Sequence, residues 1–141
     1  MPQTAPAALS IPALAGELRR AAAWLQAEAA ARGVPAADIA RLDMCLHEAL
    51  ANVIDHGGLA ADSTVRMELD AGAGGATLTV IDGGRPFDPT RAAARARPTS
   101  LEDTLPGGLG VVMIRSHSDA LSYEHLDGCN RLAMTVHWTA A

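Results

Sequence analysis

The chain has 141 residues, a formal net charge of −5, and basic residues that are all arginine. This length suits one domain with a real core, expected over residues 1–141, and the negative charge argues against a nucleic-acid or membrane-surface partner. The absence of lysine excludes a Walker A loop, a Schiff-base lysine and a Ser-Lys dyad, and aromatic residues at 3% argue against a base-stacking nucleic-acid platform.

The first half of the chain predicts one strand and two helices. Residues 1–6 are expected to form a loose tail, followed by a short edge strand at 7–12. Apolar residues at helical spacing predict a first helix over 13–32. Pro35 opens a second helix, which runs to about Ile54 and carries a stripe of apolar side chains.

The second half predicts two hairpins separated by a long connection. The predicted elements are strands at 64–69 and 76–81, a Pro- and Arg-rich connection at 85–106, a helix at 111–118, and strands at 120–125 and 131–138. This order indicates an α+β fold. We expect a two-layer sandwich in which helices cover one face of a mixed, mostly antiparallel sheet.

The two cysteines, Cys45 and Cys129, and the N-terminal segment bear on where the protein works. Cys45 falls on the apolar helical stripe and Cys129 in a turn between strands, which fits a pair of free thiols in a reducing compartment. The first eight residues lack the pattern of a signal peptide, and no apolar run reaches the roughly 20 residues that span a bilayer. We therefore expect a soluble cytoplasmic protein with no membrane partner.

The second helix provides the first candidate site. Glu48 and Asn52 are four residues apart, so they lie one turn above another on a single face. A carboxylate beside a carboxamide can hold a hard cation and can accept a proton. An isolated E-x-x-x-N pattern is common by chance and is more often a solvated polar edge on a core helix, so the rest of the chain must decide.

Two glycine-containing loops provide further candidates. Asp82-Gly83-Gly84 ends a buried strand, where it is either an ordinary turn or a base pocket in which the carboxylate accepts from an amino group. Gly107-Gly108-Leu109-Gly110 opens a predicted helix, whose free N–H groups and positive dipole end suit a phosphate. It is not a dinucleotide fingerprint, because Met113 stands where the third glycine would be.

Taken in order, these motifs resemble the GHKL ATP-binding superfamily, and four segments resemble its anti-sigma-factor, serine-protein-kinase branch. They are Glu48–Asn52 with His56-Gly57, the D-x-G-x-P-F-D-P run from Asp82 to Pro89, the G-G-x-G-hydrophobic segment from Gly107 to Ile114, and the N-x-L-x-M-T of Asn130 to Thr135. The resemblance spans about residues 7–138.

The resemblance implies a Bergerat, or histidine kinase-like ATPase, fold and a residue role for each motif. Asn52 would bind Mg²⁺, Asp82 would take the adenine amino group with Gly84 below the ring, and Glu48 would be the catalytic base. The connection at 85–106 would be the ATP lid. The implied nucleotide-binding set is Asn52, His56, Asp82, Gly84, Pro86, Gly107, Gly108, Leu109, Gly110 and Thr135, the last as a further partner at the adenine.

The resemblance also implies partners. Members of this branch bind a sigma factor or another regulatory target and phosphorylate a small STAS-type antagonist, and many are homodimers. The sequence therefore indicates an ATP- and Mg²⁺-dependent serine/threonine protein kinase and anti-sigma-type regulator. The alternatives are an ATP-gated binding module with little phosphoryl transfer and a detached histidine-kinase catalytic domain. Glu48 favours the kinase, because a pure nucleotide sensor needs no base there.

Overall fold

The computed structural model describes residues 5–60, 62–86, 88, 114 and 117–139. Two α-helices and five strands form within these residues. In chain order they are β1 (Ala7–Pro12), α1 (Leu18–Ala31, preceded by a 3₁₀ turn at Ala15–Glu17), α2 (Ala36–His56), β2 (Thr64–Gly72), β3 (Gly75–Asp82), β4 (Ala120–Leu126) and β5 (Cys129–His137).

The five strands form one open sheet in the order β1-β2-β3-β5-β4, and every neighbouring pair is antiparallel. The two helices lie against the same sheet, α1 contacting β1 and β2, and α2 contacting β3 and β5. The expected α+β sandwich is thus confirmed. The parallel pairing that a mixed sheet requires does not occur among the described strands.

Alternation along the strands decides which side chains face the helices. In β3, Leu78 and Val80 are buried, and the same period places Asp82 on the helix-facing side at the strand end. Leu42, Leu46 and Leu50 of α2 supply the fully buried stripe that covers this face. Burial of each such side chain contributes about 1.5–3 kcal/mol, so the apolar period rather than helix propensity fixes α2 on the sheet.

An ion pair joins α2 to the residue that precedes the edge strand β4. The guanidinium of Arg41 lies 3.0 Å from Asp119, directly before β4, and 3.2 Å from Asp38. The second carboxylate oxygen of Asp119 accepts a 2.6 Å hydrogen bond from the backbone of His137. These two contacts lower the pKa of Asp119, the Arg41 hydrogen bond most.

The described residues cover two of the sequence predictions only in part. Of the helix predicted at 111–118, Ile114 and His117 are helical, and Ile114 is fully buried. The remainder of that helix, most of the 85–106 connection and residues 1–4 lie outside the described residues. Within the part of the chain that is described, neither helix is long and apolar enough to cross a membrane.

Candidate functional site

A pocket opens where the C-terminal end of α2 meets the ends of β3 and β5. The first candidate helix and the first candidate loop both reach it, since Asn52 and Asp82 contribute to its wall. The lining residues are Ala49, Asn52, Val53, Gly57, Val80, Asp82, Arg85, Tyr123, Asn130 and Leu132. Apolar walls with a few polar groups are typical of a small-molecule site.

Asp82 presents one carboxylate oxygen to the protein and leaves the other available. It is only 7% exposed. Its Oδ1 accepts hydrogen bonds from the backbone N–H of Gly84, at 2.8 Å, and from Nδ2 of Asn130, at 3.0 Å. No hydrogen bond to Oδ2 arises within the described residues, so Oδ2 is the acceptor that a ligand in the pocket would meet.

Asn130 is the site residue whose role sequence reasoning missed. It stands opposite Asp82 in the β3–β5 register and is only 6% exposed. The two N–H groups of its Nδ2 are shared among Asp82 and the backbone oxygens of Gly84 and Arg85, at 3.0–3.1 Å, while its Oδ1 accepts from the hydroxyl of Tyr123. The sequence signal for Asn130 was its place as the first residue of the N-x-L-x-M-T segment. Its partner, Asp82, can be identified only when the pairing of β3 with β5 is known.

Gly84 is required because two backbone segments approach each other at the pocket. A Cβ on Gly84 would lie 2.6 Å from the carbonyl oxygen of Gly57 and 2.9 Å from Oδ1 of Asp82. That same Gly57 oxygen accepts a 2.9 Å hydrogen bond from the backbone of Arg85. The missing side chain therefore lets the loop after β3 close against the end of α2.

The structure separates the two polar residues of the candidate helix. Asn52 lines the pocket together with its neighbours Ala49 and Val53. Glu48 is partly buried one turn earlier and is not among the lining residues. Glu48 and Asn52 share a flank of α2, and of the two only Asn52 reaches the pocket at the ends of β3 and β5.

Thr135 lies on the other face of the sheet. Its neighbours Met134 and Val136 are buried toward the helices, so alternation turns Thr135 outward. There its hydroxyl is 2.8 Å from that of Thr77. The structure therefore does not bring Thr135 to Asp82, and the residue beside the carboxylate is Asn130.

The remaining predicted residues are described only in part. His56 is the last residue of α2, and its side chain lies outside the described set. Pro86 is exposed and is absent from the pocket lining. The phosphate-loop prediction, Gly107 to Gly110, lies outside the described residues, as does the lid prediction beyond Arg85, Pro86 and Asp88.

Two observations bear on other kinds of chemistry among the described residues. Burial raises the pKa of the Cys45 thiol to about 11, and its sulfur lies 3.9 Å from the carbonyl oxygen of Ile114. A thiol with so high a pKa is a poor nucleophile at neutral pH. Within the described ranges, no cluster of three or more His, Cys, Asp or Glu side chains could hold a metal ion by itself.

Known proteins resemble this chain in sequence and in structure. The family described as the histidine kinase-like ATPase domain matches residues 11–136. BtrW of Bordetella bronchiseptica, a serine/threonine-protein kinase, is 34% identical over 97 residues, which are 68% of this chain and 68% of that protein. The crystal structure of the RsbU and RsbW domains of Rv1364c from Mycobacterium tuberculosis matches with a TM-score of 0.64 and 21% identity over 95% of this chain, which spans 32% of that one.

Proposed function

We propose that this chain, which belongs to the histidine kinase-like ATPase domain family, is an ATP- and Mg²⁺-dependent serine/threonine protein kinase that regulates a protein partner. One observation carries the proposal. A buried carboxylate, whose Oδ2 has no hydrogen bond among the described residues, and a carboxamide line the same pocket together with apolar side chains. This combination suits a flat base with an exocyclic amino group at one end and a metal-bound phosphate at the other.

The base end of the pocket fits adenine. Oδ2 of Asp82 would accept from the exocyclic amino group, since an ionised carboxylate offers acceptors alone. Val53, Val80 and Leu132 supply apolar contact for the faces of the ring. Gly84 is compatible with this arrangement, because a side chain there would collide with Asp82 and with the carbonyl oxygen of Gly57.

The other end fits a hard cation bound mainly through phosphates. Asn52 offers a carboxamide oxygen, and Mg²⁺ is commonly held by one or two protein oxygens together with substrate phosphates rather than by a full protein cage. When bound, Mg²⁺ and ATP together supply charge neutralisation and the transferable γ-phosphoryl group. Gly108 and Gly110 are proposed to hold the phosphates, with Gly107, Leu109, His56 and Pro86 nearby.

Glu48 is proposed as the base that accepts the proton of a serine or threonine hydroxyl on the protein substrate. It lies one turn from Asn52 on the same flank of α2, so a hydroxyl placed beside it would be near the metal-bound end of the pocket. A positioned carboxylate of this kind orients the nucleophile in phosphoryl transfer.

The partners follow from the family branch that the motifs resemble. A STAS-type antagonist is proposed as the phosphorylated protein, and a sigma factor or another regulatory target as the protein that is held. A homodimer is proposed as one working state. The 34% identity with a serine/threonine-protein kinase supports the transfer activity.

The test is incubation with labelled ATP, Mg²⁺ and a STAS-domain protein from the same genome. Label should appear on that protein and should fall by about 10²-fold or more in Glu48→Gln, the range expected for loss of a general base. Glu17→Gln is the matched control, because Glu17 is a partly exposed glutamate directly before α1 whose 3.6 Å ion pair is with the exposed Arg20 and contributes little. Equal transfer by Glu48→Gln and wild type would remove Glu48 from the mechanism.

A second candidate function is an ATP-gated binding module, and the location of Glu48 outside the pocket lining favours it. In that case ATP binding alters which partner is held, with little transfer. The same experiment separates the two: ATP binding and partner capture without label on any STAS protein would establish the gated module. Failure of wild type to bind ATP would contradict both functions.

A further inference from the structure

We propose that Tyr123 and Asn130 are positioning residues that hold Asp82 as a fixed hydrogen-bond acceptor and thereby set the base preference of the pocket. The preference is for a purine with an amino group at position 6 over a purine with a carbonyl there. The inference rests on the proposed nucleotide binding and adds to it the pair of residues that determines specificity.

The hydrogen-bond partners of Asn130 fix which way its amide points. Its side-chain nitrogen lies 3.0 Å from Oδ1 of Asp82, and 3.1 Å and 3.0 Å from the backbone oxygens of Gly84 and Arg85. A carboxylate and two carbonyls are acceptors, so the amide nitrogen must face them. The reversed amide would bring an oxygen against three oxygens.

Tyr123 completes a chain of donors that runs in one direction. The Oδ1 of Asn130 accepts from the hydroxyl of Tyr123, which reaches it from the edge strand β4. The hydroxyl therefore donates to the amide, and the amide donates to the carboxylate. Hydrogen bonds linked in this way polarise and orient one another in a low-dielectric site.

The result at Asp82 is a carboxylate that cannot easily rotate. Its Oδ1 receives N–H groups from both Gly84 and Asn130, which fixes the plane of the group and directs Oδ2 to the pocket. A fixed lone-pair acceptor bonds an amino group and repels a carbonyl oxygen. A site built to hydrogen-bond a substrate group discriminates strongly against an analogue that lacks it.

Asn130 also connects the base end of the pocket to the start of the 85–106 connection. Its nitrogen binds the carbonyls of Gly84 and Arg85, while the backbone N–H of Arg85 donates to Gly57 at the end of α2. One amide thus holds both the carboxylate and the backbone that follows it. Loss of the Tyr123 hydroxyl is expected to loosen the Asp82 carboxylate and the backbone at Gly84 and Arg85 together, because Oδ1 of Asn130 then loses its donor.

The experiment measures the affinities of the full chain for ATP and for inosine triphosphate, which carries a carbonyl at position 6, by titration calorimetry with Mg²⁺. Tyr123→Phe keeps the ring and removes the hydroxyl. The ratio of the two affinities should fall by about tenfold, the effect expected from one hydrogen bond to a buried group. Thr77→Val is the matched control, since it removes a hydroxyl bonded to Thr135 on the outer face of the same sheet, and its ratio should equal that of wild type.

A double variant tests whether the two residues act as one unit. Asn130→Ala should lower the ratio further than Tyr123→Phe, and adding Tyr123→Phe to Asn130→Ala should change it no more, because the hydrogen bond is already gone. Thermal melting of each variant separates these effects from unfolding.

The possible failures are distinguishable. If Tyr123→Phe weakens binding of both nucleotides equally, the tyrosine only supports the pocket wall and the specificity role is overturned. If wild type binds neither nucleotide, the proposed function and this inference fall together.

Discussion

At the scale of single residues, the unequal surroundings of the two Asp82 oxygens make a substitution informative. In Asp82→Asn, the amide oxygen must take the place of Oδ1, because that place faces the N–H groups of Gly84 and Asn130. The NH₂ group then takes the place of Oδ2. The variant presents a donor to the pocket where wild type presents an acceptor, at nearly unchanged volume.

We therefore expect Asp82→Asn to weaken ATP binding by about 10²-fold or more, since an amino group meeting a donor leaves two polar groups unpaired. Titration calorimetry with Mg²⁺ checks this. Asp70→Asn is the matched control, because Asp70 is an exposed aspartate of β2. An Asp82→Asn variant with wild-type ATP affinity would contradict the assignment of the base end of the pocket.

The sequence indicates those residues of the candidate site whose contacts are local in the chain. It does not indicate those whose contacts depend on the register between strands. Asp82 and Gly84 stand out in the sequence because a strand ends in a polar residue and glycines. Asn130 could not be assigned, since its role follows from pairing with a residue 48 positions earlier in the chain. Thr135 entered the predicted set through the resemblance alone, and the alternation of β5 turns it to the other face of the sheet.

At the scale of elements, the link between α2 and the β4–β5 edge depends on charge, so it predicts a pH effect. The pKa of Asp119 lies below its ordinary value of 3.8 in the folded protein, mainly through the hydrogen bond from Arg41. A group whose pKa is lower when folded stabilises the protein above its unfolded pKa. That stability is lost as the pH falls through the lowered value.

Asp119→Asn should therefore lower the melting temperature at pH 7, and the difference from wild type should shrink as the pH falls below about 4. Thermal melting between pH 7 and pH 3 measures it, at low salt because the pair is accessible to solvent. Asp62→Asn, at an exposed turn aspartate, should show no such pH-dependent difference. A difference from wild type that is constant with pH would show that the ion pair does not contribute.

The elements themselves were largely predictable, and their ends were not. A strong apolar period predicted the buried stripe of α2, and the short strand expected at 7–12 is observed as β1 (Ala7–Pro12). β2 continues to Gly72, beyond the predicted end at 69, because its last residues pair with β3 up to the tight turn. The first α-helix begins at Leu18 rather than at residue 13. A 3₁₀ turn at Ala15–Glu17 precedes it, and the side chain of Leu14 is exposed instead of packing on the core. The ends of these elements depend on the partner strand or on packing, so no hydrophobic periodicity in the sequence marks them.

At the scale of the whole molecule, the pocket joins elements from both halves of the chain. Asn52 comes from α2, Asp82 from the end of β3, and Asn130 from β5. Because a pocket lined by residues from several elements exists only in the folded chain, a ligand that binds it must stabilise the whole fold. Nucleotide binding is then measurable as a change in the free energy of unfolding, with no partner protein present.

ATP with Mg²⁺, at about 100 times its dissociation constant, should raise the free energy of unfolding by about 2.7 kcal/mol, which for a chain of this size is a melting temperature increase of about 10 °C. Asn52→Ala should lose most of the part of the shift that depends on Mg²⁺, because the carboxamide is the proposed protein ligand of the metal. Glu48→Gln should keep the full shift, since the proposed base takes part in transfer and not in binding. This pattern assigns separate tasks to two side chains one helical turn apart. A wild-type shift of the same size in EDTA would contradict the metal role of Asn52, and a shift lost in Glu48→Gln would move Glu48 into the nucleotide site.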